Sequence, residues 1–266
     1  MTLVFYTNEE NHEMAIFRIE GLRKNFGQRL VVKGIDLQVE SGQVIALLGR
    51  NGAGKTTTFH MMMGLLKPDG GSLWIDETDI SRYTTPQRAE IGITYLPQEN
   101  SVFLKTTAAN NLRMILEFSG QRKAEIDATA RGLLQELGLG ELGDQEAHSL
   151  SGGERRRLEI CRSLVLNPKF LLLDEPFTGI DPLTIVEIQK ILLKLKAKGI
   201  GIMLSDHNVR DSLKITDQAY IIDEGEILVQ GTPQEVAVSV EARERFLGKE
   251  FTLGDEIQAQ SSVKKR

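Results

Sequence analysis

The run Gly49-Arg50-Asn51-Gly52-Ala53-Gly54-Lys55-Thr56 constrains this chain more than any other stretch. It lies between the apolar Val44-Ile45-Ala46-Leu47-Leu48 and Thr57-Thr58-Phe59-His60-Met61-Met62-Met63. The first flank is short, continuous and apolar, as a buried strand is, and the second opens a helix. Strand, then G-x-x-x-x-G-K-[ST], then helix is the context in which that spacing becomes a phosphate-binding loop. Its glycines let successive backbone N–H groups curl inward toward phosphate oxygens. The helix N-terminus adds a favourable field of about 0.3–1 kcal/mol, rising to ~2 kcal/mol when partly buried. Lys55 is placed to reach β- and γ-phosphates, and the Thr56 hydroxyl to ligate Mg²⁺. Residues Gly49 through Thr57 are therefore the expected contacts of a nucleoside triphosphate. The bland alternative is an ordinary tight turn. Two glycines, a lysine and a hydroxyl at these offsets arise by chance in roughly one chain in a hundred of this length.

The 266 residues suit one large α/β unit or two closely joined subdomains. A hydrophobic content of 41% is that of a globular protein with a proper core, and a net charge of −5 gives no electrostatic case for nucleic acid as main partner. The single cysteine, Cys161, cannot form an internal disulfide and falls in an expected helix, where it reads as a core residue rather than a nucleophile. No apolar stretch approaches the roughly 18–20 residues that span a bilayer. The start of the chain, Met1 to Glu13, has glutamates and no basic residue, so it makes a poor signal peptide. The expectation is a cytoplasmic protein; if it serves a membrane, another chain does the spanning.

In chain order, residues 1–15 are polar and acidic and are expected to be a disordered extension, with Met14 a candidate natural start. Strand-like runs follow at Ile16–Leu22 and Leu30–Val39, joined by a turn at Phe26-Gly27. Phe26 either packs that turn or offers an aromatic face to adenine, base stacking being worth about 1–3 kcal/mol. Lys67-Pro68-Asp69-Gly70-Gly71 is a dense turn signal, and Ser72–Ile75 and Ile91–Leu96 read as strands leading to Pro97-Gln98. From Glu99 to Asn167 the pattern is helical: Ala109–Phe118, Ala124–Leu137 and Glu154–Leu166 place apolar residues at helical spacing. Strand and helix then alternate again through Phe170–Leu173, Pro182–Lys198, Gly201–Leu204 and a hairpin over Tyr220–Val229 turning at Glu224-Gly225. That alternation argues for a mainly parallel sheet with helices on its faces. The expected organisation is a core of residues 16–98 and 168–250, a helical insert over 99–167, and a flexible tail over 251–266.

Phe170-Leu171-Leu172-Leu173-Asp174-Glu175 is an apolar strand ending in two carboxylates, at the end where an open α/β sheet places its ligand. Asp174 is expected to hold Mg²⁺, directly or through water, and Glu175 to polarise the attacking water. An acidic N-cap for the next helix is the alternative for the pair taken alone. The amide of Gln98 can reach both Mg²⁺ and the water, and His207 can donate to a γ-phosphate; a lone Gln or His carries little, so both rest on the set. Leu150-Ser151-Gly152-Gly153-Glu154 places a serine and two glycine N–H groups at a helix N-terminus. It is either a plain cap or a second anion site, and one nucleotide needs only one phosphate loop.

The phosphate loop, Gln98, Leu150–Glu154, Phe170–Glu175, Gly179-Ile180-Asp181-Pro182 and His207 stand in the order found in ABC ATPase domains, which the chain resembles over about residues 16–250. The resemblance implies an α/β fold with a RecA-like core of the P-loop NTPase class, an N-terminal antiparallel β subdomain and an inserted α-helical subdomain. It implies a head-to-tail homodimer with two ATP, each between one subunit's 49–56 loop and the other's Ser151, Gly152 and Gly153, with Asp181 at the seam. Within the family, Tyr95–Glu99, Leu150–Arg157, Asp206–Arg210 and Phe246–Phe251 resemble the ATPases of lipopolysaccharide exporters; those of branched-chain amino-acid importers match less well. Phe26 stands where Tyr is more usual, Glu154 where Gln is commoner, and Leu104 where an exporter ATPase typically has arginine.

The implied reaction is Mg²⁺-dependent ATP hydrolysis by in-line attack of water, driving integral membrane permease subunits that dock near Gln98–Glu117. The chain would then sit peripherally on the cytoplasmic face of an inner membrane. Two other classes are weighed against this. Soluble ABC ATPases acting on nucleic acid or ribosomes usually carry two ATPase domains or a long coiled-coil insert, and this chain has neither. A non-enzymatic subunit is opposed by Lys55, Asp174, Glu175 and His207 occurring together.

Overall fold

The computed structural model describes residues 14–119 and 122–253. Most of them build two sheets. The first is antiparallel, in the order β2-β1-β4-β5, from β1 (Ile16–Phe26), β2 (Arg29–Glu40), β4 (Gly70–Ile75) and the short β5 (Thr78–Asp79). The second has the order β10-β9-β3-β8-β7-β6. Its members are β3 (Val44–Leu48), β6 (Ile93–Leu96), β7 (Phe170–Asp174), β8 (Gly201–Asp206), β9 (Gln218–Asp223) and β10 (Glu226–Gly231). All neighbours pair parallel except the β9–β10 hairpin.

Because side chains alternate along a strand, the parallel sheet feeds two cores. Ile45 and Leu47 of β3, with Phe170 and Leu172 of β7, join the antiparallel sheet and helix α1 (Lys55–Met63). Val44, Ala46 and Leu48, with Leu171 and Leu173, face the other way. There they meet α6 (Pro182–Ala197) and the helices of the 99–167 stretch: α3 (Ala108–Leu116), α4 (Lys123–Glu136) and α5 (Gly152–Leu164). Leu112, Leu134 and Leu158 of these helices belong to the same buried cluster as the sheet, so the insert shares its apolar interior with the core. Cys161 lies wholly within this cluster, and burial pushes its thiol well above the ordinary range.

The expected strands and long helices are present, each within a few residues. Four short helices carry no apolar period and escape it: α2 (Thr85–Glu90), α7 (Val209–Leu213), α8 (Pro233–Val238) and α9 (Val240–Ala242). Of these, α2 and α8 start on a threonine capping box, Thr84 with Gln87 and Thr232 with Glu235. At the chain ends two expectations need correction. Ala15 is buried, and its carbonyl accepts the Ser41 N–H at 2.9 Å, so the N-terminal extension does not reach residue 15. The flexible tail does not begin at 251, because Phe251 and Leu253 are both buried in the larger cluster and the Arg210 guanidinium lies 5.7 Å over the Phe251 ring. Residues 1–13 and 254–266, the rest of both expectations, lie outside the described residues. Among the described residues, no helix is long and apolar enough to cross a membrane.

Candidate functional site

The phosphate loop hangs from a strand that is buried along its whole length, so its start is fixed by packing. Gly49 is required there by space: a Cβ would come within 2.2 Å of the Ile222 carbonyl oxygen. Gly52 and Gly54 are required by conformation, with φ of 80° and 112°, a region that side chains disfavour. The tip of the β9–β10 hairpin braces the loop from outside, the Gly225 N–H donating to the Ala53 carbonyl at 3.0 Å. Lys55, the first residue of α1, turns back into the loop, where its Nζ donates to the carbonyls of Gly49 (2.7 Å) and Arg50 (3.1 Å). Burial lowers its pKa, against the opposing fields of Glu175, Asp174 and Asp206. The loop is thus a preformed ring around a buried cation, the arrangement an anionic phosphate chain would complete.

Glu175 follows β7 directly and has a φ of 49°, which turns its side chain out of the sheet. Its Oε2 accepts from Gln98 Nε2 (2.9 Å) and Thr178 Oγ1 (3.0 Å) and lies 3.5 Å from His207 Nδ1. Oε1 has no partner among the described residues. Asp174, one residue earlier, stays inside the sheet, wholly buried, with Ser205 Oγ and Tyr95 OH donating to its two oxygens. The buried Asp206 holds the neighbouring turn, accepting the Phe177 N–H (2.9 Å) and the Asn208 N–H (2.8 Å). From the other side the Arg156 guanidinium donates to the carbonyls of Glu175 (3.0 Å) and Pro176 (3.2 Å) and to Glu159 (2.8 Å).

A cavity of about 660 Å³ collects Asn51, Gly52, Gly54, Lys55, Thr56, Thr57, Gln98, Glu175 and His207, nine of the expected residues, on one wall or another. Arg29, Val31 and Thr178 line it too and were not singled out in the sequence. The signal for Arg29 and Val31 was their place just after Phe26; Thr178 sits three residues after Glu175. Arg50 and Ala53 line an adjoining cavity of about 430 Å³ together with Arg29, Lys33 and Glu224. Phe26 is half-exposed, with Lys24 Nζ 5.8 Å above its ring, and lines neither cavity.

Ser151, Gly152 and Gly153 are not brought to the phosphate loop. Ser151 caps α5, its Oγ accepting the Glu154 N–H while Glu154 Oε2 accepts the Ser151 N–H. Gly152 instead lines a second cleft of about 520 Å³ with Arg155 and Gly179, which adjoins the first through Gln98, Glu175 and Thr178 but includes no residue of the phosphate loop. Asp181 caps α6 in the same manner, holding the N–H groups of Leu183 and Thr184, and the Thr184 hydroxyl lowers its pKa.

Comparison with known proteins agrees with this geometry. Residues 32–178 match the family model described as ABC transporter. The chain is 45% identical to the lipopolysaccharide export system ATP-binding protein LptB of Acidithiobacillus ferridurans, over 90% of this chain and 99% of that protein. It is 42% identical to the protein of the same name from Escherichia coli K12, over 90% of this chain and all of that one. Among solved structures, the ADP conformation of MJ1267, an ATP-binding cassette of an ABC transporter, superposes with a TM-score of 0.81. That match covers 89% of this chain and all of the cassette at 28% identity.

Proposed function

The chain belongs to the ABC transporter ATP-binding family, and we propose that it is the ATP-hydrolysing subunit of a lipopolysaccharide exporter. The observation that carries the reading is the meeting of Lys55, Gln98, Glu175 and His207 in one cavity behind a preformed phosphate loop. Likeness along nearly the whole length of exporter ATPases supports the transport assignment.

In this reading the loop N–H groups and Lys55 bind the phosphates. Glu175 Oε1, without a partner among the described residues, takes a proton from the attacking water, while Gln98 and Thr178 hold Oε2 and so fix the carboxylate. His207, with Nδ1 turned to Glu175 and Thr178, keeps Nε2 for the γ-phosphate or the water. A Mg²⁺ site fits the residues present, because the donors are hard oxygens: the Thr56 hydroxyl, the Asp174 carboxylate, and the Gln98 Oε1 that remains when Nε2 serves Glu175. Bound Mg²⁺ supplies charge neutralisation on the β- and γ-phosphates.

The finer assembly is part of the same proposal. Within one chain Ser151–Gly153 lie apart from the phosphate loop, which supports a head-to-tail homodimer in which each signature segment completes the partner's site. Phe103 and Leu104 are exposed on the segment after Gln98, with the Arg162 guanidinium 4.9 Å from the Phe103 ring. This apolar rim supports docking of permease subunits over Gln98–Glu117, and hence a peripheral place on the cytoplasmic side of the inner membrane. Core limits of 16–98 and 168–250 and an insert of 99–167 remain the proposed division.

The test is Glu175→Gln. The amide oxygen can replace Oε2 toward Gln98 and Thr178, so ATP binding should persist while turnover falls on the order of 10²–10⁴-fold. Tagged variant captured from native membranes with Mg-ATP should bring down lipopolysaccharide-export permeases. Amino-acid permeases would move the chain to the importer branch, and no membrane protein at all would overturn the transport reading.

A further inference from the structure

The Asp174 carboxylate is gripped by two hydroxyls from different strands. In the sheet, β7 lies between β8 and β6, with Asp174 directly opposite Ser205 and Leu172 opposite Tyr95. Ser205 thus reaches Oδ1 from one side. Tyr95, two positions back on the same face, reaches Oδ2 diagonally at 3.2 Å. The far side of the Tyr95 ring meets His60 of α1 edge-on, with centroids 6.0 Å apart at 87°. Tyr95 therefore spans from the helix that follows the phosphate loop to the carboxylate at the strand end, three residues before Gln98.

We infer that Tyr95 is a positioning residue for divalent-cation binding: its hydroxyl sets the direction in which Asp174 presents its remaining lone pairs. The inference rests on the reading that Asp174 holds Mg²⁺. A carboxylate at a strand end can rotate about its last torsion, and a donor on each oxygen removes that freedom. With the Tyr95 donor gone, Oδ2 is buried without it and the carboxylate is free to turn toward Lys55, whose ammonium lies in its field. Outer partners of metal ligands are typically worth about 10–100-fold in metal affinity. One of two such partners should be worth the lower end of that range.

The experiment uses the full chain carrying Tyr95→Phe, which removes one oxygen and keeps the ring against His60. ATP affinity is measured calorimetrically in EDTA, and then Mg²⁺ is titrated at fixed ATP. The expected result is an EDTA affinity within twofold of wild type and a Mg²⁺ half-saturation raised about tenfold. Ser205→Ala, which removes the other donor, should shift Mg²⁺ in the same direction and guards against a folding defect peculiar to Tyr95→Phe. Equal losses in EDTA and in Mg²⁺, or an unchanged Mg²⁺ half-saturation in both variants, would overturn the positioning role. Asp174→Asn separates the two layers. If it abolishes the Mg²⁺ effect and Tyr95→Phe does nothing, only the Tyr95 inference fails; if it leaves the Mg²⁺ effect intact, the assignment of Asp174 fails first.

Discussion

Replacing Arg88 by methionine is expected to destabilise the fold by about 3 kcal/mol, because this arginine is buried among carbonyls rather than carboxylates. Only 1% of it is exposed. Nη1 donates to Met61 and Met62 at 2.6 Å each, Nη2 to Ile80 (3.2 Å) and Ser81 (3.3 Å), and Nε to Tyr83 (3.1 Å). Met61 and Met62 close α1, so the guanidinium caps the C-terminus of the very helix whose N-terminus carries the phosphate loop. Two of these carbonyls keep another donor, Met61 from the Gly64 N–H and Ile80 from the Tyr83 N–H. Among the described residues, the carbonyls of Met62, Ser81 and Tyr83 depend on Arg88. One buried acceptor and two half-buried ones, at about 1–3 kcal/mol for each fully buried group and less for the other two, offset in part by no longer burying a cation, leave roughly 3 kcal/mol. The burial penalty is visible in the guanidinium itself, whose pKa is pulled down to about 10. For a chain of this size the loss corresponds to a Tm lower by roughly 6–12 °C. Urea unfolding should show the midpoint fall at constant slope, and Arg88→Lys, with fewer donors, should fall between wild type and methionine. ATP affinity should drop less than the fold does, since Lys55 and Thr56 lie at the other end of α1. A methionine variant within about 1 kcal/mol of wild type would refute the capping argument.

Two further outcomes follow from the site's packing and charge. Gly49→Ala forces a Cβ to within 2.2 Å of the Ile222 carbonyl, which cannot yield without moving β9; equilibrium ATP binding should fall more than tenfold and stability by about 1–3 kcal/mol, and binding at wild-type strength would contradict it. Asp206 is pushed above its ordinary 3.8 by burial, partly offset by the N–H groups of Asn208 and Phe177. Between 3.8 and that raised value the folded chain holds more protons than the unfolded one, so this group's contribution to stability falls as pH rises through the window. Asp206→Asn should remove that slope, and urea midpoints of the two proteins compared upward from acid pH would refute it if their difference stayed flat or grew in favour of wild type.

What could be read before the structure was whatever the chain encodes locally. The phosphate loop is contiguous, as is the apolar β7 with its two carboxylates, and α3, α4 and α5 announce themselves by apolar spacing. Residues whose meaning depends on sheet order were invisible. Tyr95 and Ser205 look like ordinary strand residues until β6, β7 and β8 become neighbours, and those strands are far apart in the chain. Arg88, in the polar stretch Pro86-Gln87-Arg88-Ala89-Glu90, reads as a solvated side chain; its partners at Met61 and Met62 come from another helix. The helices α2 and α8 are too short for a period, although the threonine of each capping box was a usable signal. Phe251 and Leu253 stand at the head of a tail that is polar beyond Gly254 in sequence, whereas the folded chain buries both side chains against the core.

The geometry proposed for catalysis depends on one strand end. Ser205, Asp206 and His207 are consecutive, and each holds a different part of the segment that follows β7. Ser205 takes the Asp174 carboxylate, and its own carbonyl accepts the Glu175 N–H at 2.8 Å, extending the ladder by one residue. Glu175 then adopts a left-handed φ, a strain of about 1–3 kcal/mol for a residue with a side chain. Such strain persists only where the surroundings over-determine it. Here Asp206 grips the Phe177 N–H from one side, and Arg156 grips the Glu175 and Pro176 carbonyls from the other. The left-handed turn redirects Glu175 into the cavity beside His207 while Asp174 stays buried in the sheet. Without it, alternation along the strand would send Glu175 to the opposite face from Asp174 and away from Gln98. In the proposed mechanism, the strain at Glu175 is therefore the means by which two neighbouring acids serve one nucleotide in different roles.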